Sequence, residues 1–192
     1  DKSNYKLFMG SIRFEKNTLN SFMFPVSGNS ISVVGEAVYG KEYYYASEGK
    51  EISKRSTNKN KHSWLQLTGQ TNHYLNLSQK FTFGIRSEIV LSSKGFFDNY
   101  TSTIIQAPAF TPTPHSKMVF NEAFRATQYI AAGVLPIWKI VNKLQLRTEL
   151  YGFAPFYKIK RGENNKPYYG KFMNSFEYIG EVALVYDLPF AS

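Results

Sequence analysis

An all-β, antiparallel fold of the transmembrane β-barrel type is predicted by three features of the sequence. Apolar residues recur with a period of two, several alternating runs exceed ten residues, and the polar strand faces carry opposite charges two positions apart. Strands of globular sheets usually have about 5–6 residues, whereas a tilted membrane-crossing strand needs about 9–11. The 192 residues suffice for a single domain, and no linker divides them, so residues 1–192 read as one barrel segment. With 43% hydrophobic and 19% charged residues the chain is not a disordered tail. Aromatics reach 17%, including 14 Tyr and 16 Phe, which suits strands and the two aromatic girdles of a membrane barrel.

The alternation is clearest in Lys80–Ser92, Lys143–Phe153 and Phe176–Tyr186. In the first, Phe81, Phe83, Ile85, Ser87, Ile89 and Leu91 oppose Thr82, Gly84, Arg86, Glu88 and Val90. In the second, Leu144, Leu146, Thr148 and Leu150 oppose Gln145, Arg147, Glu149 and Tyr151. In the third, Phe176, Tyr178, Gly180, Val182, Leu184 and Tyr186 oppose Glu177 and Glu181. Weaker alternation marks Ser30–Ala46 and Ser63–Leu77, and Tyr5–Glu15 and Ala123–Leu135 are strand-like but less regular. About seven long strands result. Val134–Val141 contains Pro136 and reads as a strand end and turn rather than a helix. No helix is required anywhere.

The intervening segments are turn-like. They are Asn17–Asn29 with its "FPVSG" break, the polar Gly49–His62, the proline-bearing Ser93–Asn121, and the polar Lys160–Lys171. The net charge of +9 invites a nucleic-acid reading, but its densest run, "KEISKRSTNKNK" at Lys50–Lys61, mixes Lys with Ser, Thr and Asn as a solvated loop does, and no basic-aromatic strand face accompanies it. No nucleic-acid partner is expected. No stretch approaches the ~18 apolar residues of a spanning helix, and the opening "DKSNYKLF" is not a leader, so either a leader has been removed or these residues are internal. A mean hydropathy of −0.34 is compatible with a barrel, whose strands alternate.

Paired opposite charges suit a polar lumen, so Arg86, Glu88, Arg147, Glu149, Glu177 and Glu181 are predicted to face the interior. Aromatics near the ends of the apolar faces are predicted to be interfacial: Tyr39, Tyr43, Phe81, Phe83, Trp138, Phe176, Tyr178 and Tyr186. Arg86 and Arg147 could instead bind a phosphate or lipid headgroup, but neutralising their neighbouring glutamates is the simpler role. Zero cysteines exclude disulfides and thiol chemistry. GxSxG, HExxH, P-loop and CxxC motifs are absent. His62, His73 and His115 lack ligand spacing and read as solvated or loop residues. A glycosidase-like pair among Glu36, Glu88, Glu149, Glu177 and Glu181 has less support than the lumen role. Catalytic residues, metals and cofactors are all expected to be none.

Two stretches resemble a known family. "NSFMFPVSG" at Asn20–Gly28, with its turn residues Phe24, Pro25 and Gly28, resembles the turn of bacterial surface antigen superfamily barrels. "FNEAFRATQYIAAGVLPIWKIVNKLQLRTELYGFAPF" at Phe120–Phe156 resembles the C-terminal barrel of Bacteroidetes-type patatin-like phospholipases. The resemblance implies a bacterial outer-membrane barrel of about sixteen strands, of which this chain supplies seven or eight. It also implies an upstream periplasmic patatin-like serine lipid acyl hydrolase domain held by the barrel, and a lipid or peptide path. Membrane lipid and the upstream domain are the implied partners, with room for a homodimer. Two alternatives stay open: an assembly or secretion barrel of the same superfamily without a hydrolase, and a soluble secreted β-sandwich that binds glycan.

Overall fold

The computed structural model describes residues 2–48, 51–52, 58–141 and 143–186. In chain order the elements are β1 (Lys2–Asn17), β2 (Gly28–Tyr45), the short β3 (Ser47–Glu48) and β4 (Glu51–Ile52), β5 (Asn58–Asn76) and β6 (Phe81–Ser92). Helices α1 (Tyr100–Gln106) and α2 (Pro114–Met118) follow, then a 3₁₀ turn at Glu122–Phe124. The chain continues through β7 (Tyr129–Val141), β8 (Leu144–Pro155), β9 (Tyr157–Arg161), a 3₁₀ turn at Glu163–Asn165, β10 (Pro167–Phe172) and β11 (Glu177–Tyr186). Seven strands form one sheet in the order β1-β2-β5-β6-β7-β8-β11, and every neighbouring pair is antiparallel. The β1 and β11 edges do not pair with each other, so the sheet is open.

The register is strongly staggered. The row Glu15–Ser32–Gln70–Glu88–Ala131–Phe153–Glu177 begins two residues from the Asn17 end of β1 and finishes nine residues from the Tyr186 end of β11. That climb across six strand steps, at about 3.3 Å per residue and about 4.8 Å per strand, tilts the strands by about 40°. Barrel strands tilt by about 35–45°.

The two ends of the sheet differ. At one, β5 and β6 are joined by Leu77–Lys80, β7 and β8 by residues 142–143, and β1 and β2 by residues 18–27. At the other lie β3 and β4, the segment 93–128 with both helices, and the span 156–176 with the β9–β10 hairpin. These are called below the turn end and the loop end.

Several sequence expectations are corrected. Helices exist: Asn99 caps α1 by accepting from the Ser102 N–H, and Thr113 caps α2 in a reciprocal arrangement with Ser116, with Pro114 opening the helix. Lys160–Lys171 is largely the β9–β10 hairpin rather than a loop. Val134–Val141 is continuous strand, because the β7–β8 ladder skips Leu135 and Pro136, where proline has no N–H to give. Much of Gly49–His62 and of the Lys50–Lys61 run lies outside the described residues, while Asn58–His62 already belongs to β5.

Gly28 sets the entry to β2. Its φ is +93°, and a Cβ there would sit 2.1 Å from the Thr18 carbonyl oxygen, while the N–H groups of Val26 and Ser27 both donate to the Asn20 side chain. Gly28→Ala is expected to destabilise the folded chain by about 2 kcal/mol. Equilibrium urea unfolding in detergent measures this, with a conservative Ser27→Ala change as the control.

Candidate functional site: a two-faced strand wall

Directly paired residues share a face, so the register sorts the sheet into two surfaces. One carries Phe8, Ile12 and Phe14 of β1, Ile31, Val33 and Tyr39 of β2, and Leu65, Leu67 and Leu75 of β5. It continues through Phe81, Phe83, Ile85, Ile89 and Leu91 of β6, Ile130, Val134 and Trp138 of β7, Leu146 and Leu150 of β8, and Tyr178, Val182, Leu184 and Tyr186 of β11. Most of these are open to the surroundings: Ile12 is 83% exposed, Leu65 67%, Leu150 54% and Val182 69%. Among the described residues this face has no carboxylate.

The opposite face is largely covered from β2 to β11, while Met9, Ser11, Arg13 and Glu15 of β1 stay exposed. The segment 93–128 lies on it and touches all seven strands. Phe97 packs against Tyr5, His62 and Trp64, and the Asp98 N–H donates to Glu42. Pro112 accepts from the Arg86 guanidinium, Phe110 stacks on Phe153 and meets Tyr129 and Tyr151 edge to face, and His115 lies 3.1 Å from Glu181 on β11. At the turn end, the β1–β2 turn reaches across to β8, where the Pro25 carbonyl accepts from Arg147 at 3.0 Å and the Phe24 ring lies against the same guanidinium.

Between these covers sits the charge cluster. Arg86 and Glu88 are 3.5 Å apart, and Arg147 and Glu149 are 3.7 Å apart, with Arg147 almost fully buried. The Tyr129 hydroxyl donates to Glu88 at 2.6 Å and that of Tyr151 to Glu149 at 2.8 Å. Gln70 and Gln66 donate to Glu88 and Glu36. Glu181 stands directly opposite Glu149, and Glu177 is held by Lys158. The structure therefore places all six charged residues singled out in the sequence on this inward face, the two arginines beside glutamates and backbone carbonyls and each glutamate beside a cationic side chain, a histidine or a tyrosine hydroxyl. Of the proposed interfacial aromatics, Tyr39, Trp138, Tyr178 and Tyr186 are exposed on the opposite face. Phe81, Phe83 and Tyr43 are half-buried there, and Phe176 is exposed just before β11. Among the described residues no group of three potential metal ligands occurs.

The histidine expectation needs correction. His62 is not solvated: it is largely buried on β5, 3.0 Å from Glu42, whose side chain is fully buried. His73 lies in β5, where it is exposed and contacts Asn29, and His115 is largely exposed, so the correction concerns His62 alone. Sequence reasoning also missed the aromatic cluster that fastens 93–128, because Phe97, Phe110 and Phe124 sit in a stretch with no period at all.

Lys94 anchors the start of that segment. Its ammonium donates to the Gln106 carbonyl and lies 4.4 Å from the Trp64 ring. Burial pulls its pKa down to about 8, against a smaller opposing pull from Glu36. The unfolded chain holds that proton up to about pH 10.5, so the docked state gains stability as pH rises from about 8 to 10.5 and gains nothing below that window. Proteolytic release of 93–128, followed against pH, is expected to slow across that interval, and Lys94→Met is expected to abolish the slope.

No protein-family model, no curated protein and no solved structure matches the chain. Removing Arg147 leaves Glu149 buried beside Glu181 and frees the β1–β2 turn. Arg147→Ala is expected to cost about 3 kcal/mol in stability and to make the Phe22–Met23 peptide susceptible to limited proteolysis.

Proposed function

We propose that this chain is a wall of a bacterial outer-membrane β-barrel, with lipid against the apolar face and the polar face turned to a lumen that 93–128 fills. The carrying observation is the height of the apolar band. On β1, Lys6 and Lys16 bracket Phe8, Gly10, Ile12 and Phe14 on the outward face. Ten residues at the strand tilt found here span about 25 Å along the membrane normal, the height of the lipid-facing band of outer-membrane barrels. The end asymmetry supports this reading: such barrels have short periplasmic turns and longer extracellular loops, so in it the turn end is the periplasmic one.

The barrel has to be completed by other strands. Six antiparallel steps leave β1 and β11 pointing the same way, so antiparallel closure requires an odd number of further strands. Two copies in one membrane do not supply it, because each seam would join β11 to a β1 of the same direction. A single further strand would give eight, and an eight-stranded barrel has room for side chains or one small ligand. Here the covered face also holds two helices, so at least three more strands are needed.

An inner face covered over most of its strands favours an anchor over an open pore. The role of holding a patatin-like lipid acyl hydrolase on the periplasmic side rests on the likeness at Phe120–Phe156. With no GxSxG in the chain, any catalysis lies elsewhere. A soluble sandwich would cover its apolar face with a second sheet, and the only other sheets among the described residues are two-stranded.

The two tryptophans give the test, because they lie on opposite faces: Trp138 outward opposite Phe81, and Trp64 inward against Lys94 and Phe97. In vesicles of brominated phosphatidylcholine, Trp64→Phe protein is expected to be strongly quenched through Trp138, and Trp138→Phe protein hardly quenched. Equal quenching of the two, or recovery of the protein in the aqueous phase with neither quenched, contradicts the reading.

A further inference from the structure

Where β1, β2 and β5 rise past the apolar band at the loop end, their outward residues change from apolar to cationic within one step. The row Phe8–Tyr39–Ser63 is followed, two residues on, by Lys6–Lys41–Lys61, three lysines directly opposite one another in a single cross-strand row. Lys59 follows on β5 with its ammonium over the Tyr43 ring, and Lys2 stands at the outward start of β1. Like charges facing each other across a sheet are destabilising. No carboxylate occurs among the described outward residues of these strands, and Glu42, next to Lys41 on β2, is turned to the other face and engaged with His62 and the Asp98 N–H. Among the described residues the row is thus an uncompensated cation array, about 7 Å along the strands beyond the Phe8–Tyr39 pair. That is the depth at which lipid phosphates sit above hydrocarbon. The patch is confined to these three strands, since β6, β7, β8 and β11 place no lysine outward at this end.

We infer that Lys6, Lys41 and Lys61 form a binding site for the phosphate groups of an anionic lipid in the leaflet at the loop end, with Lys59 and Lys2 as flanking contacts. This rests on the membrane reading. It goes beyond it by naming a lipid class and a position on the wall. Each lysine near an anionic surface contributes attraction, and three at one height converge on a single multiply charged headgroup more effectively than scattered charges do. The same row in contact with neutral lipid keeps its internal repulsion.

Purified chain in neutral detergent, offered dioleoyl phosphatidic acid and dioleoyl phosphatidylcholine at equal concentration, tests this by native mass spectrometry. The wild type is expected to retain phosphatidic acid in preference, on the order of tenfold to a hundredfold. Lys6→Gln/Lys41→Gln/Lys61→Gln is expected to lose that preference, while Lys16→Gln keeps it. Millimolar inorganic phosphate is expected to leave lipid retention unchanged, and competition by phosphate would make free phosphate the ligand and overturn the lipid assignment. The triple variant is expected to show an equal or higher Tm in neutral detergent, because repulsion is relieved, and a lower Tm there would make the lysines structural and overturn the inference. If the triple variant does not fold, Lys41→Gln alone is expected to weaken the preference and Lys41→Arg to restore it. Lack of preference in the wild type sinks the site. Insertion into neutral vesicles, read by Trp138 quenching, scores the membrane reading separately.

Discussion

An apolar face seven strands wide has to be kept from water, and the rest of the structure is arranged around that constraint. At about 4.8 Å per strand and about 25 Å of height, the face approaches on the order of 800 Å² in projection, larger than the few hundred Å² that soluble monomers usually expose. The chain's own covering material, 93–128 and the β1–β2 turn, is spent on the other side. A soluble fold does the reverse, burying the greasy face and leaving charges in water.

The inner face shows why the covers lie where they do. Arg86, Glu88, Arg147 and Glu149 would be costly in a low-dielectric interior if left single. Each acid there also receives a tyrosine hydroxyl, and each arginine reaches a backbone carbonyl, Pro112 for Arg86 and Pro25 for Arg147. Those two carbonyls belong to the two covering segments. The charge cluster therefore ties both covers to the wall as well as pairing within itself. Phe110, Phe124 and Phe153 add an apolar seal toward the loop end.

Much of this was legible in the sequence because alternation is a local signal. The strands around Arg86–Glu88 and Arg147–Glu149 are polar on one side and apolar on the other, and their faces could be assigned from period alone. β7 resisted for a physical reason: Tyr129, Ala131, Leu135 and Ile137 are buried against the inner face while Ile130, Val134 and Trp138 look outward, so it is apolar on both sides and its period is erased. Helices α1 and α2 have seven and five residues, too few for a helical stripe. Their only sequence marks are the caps at Asn99 and at Thr113 with Pro114 and Ser116, which could have been read. Glu42 and His62 are 20 residues apart in the chain and meet as diagonal neighbours only through the β2–β5 register, a relation that no local pattern encodes. The lysine row has the same origin: Lys6, Lys41 and Lys61 are far apart in the chain and meet only through the β1–β2–β5 register.

The most direct measurement is a nitroxide scan along β8, one spin label at a time from Leu144 to Tyr151 in a chain that has no native cysteine, reconstituted in lipid vesicles. The account predicts that collision with oxygen, which concentrates in hydrocarbon, oscillates with a period of two, with maxima at Leu146, Thr148 and Leu150. Collision with a water-soluble nickel chelate should stay low at those same positions. Oxygen maxima at Gln145, Arg147 and Glu149, or chelate access at Leu146 and Leu150, would show that water rather than lipid meets the apolar face.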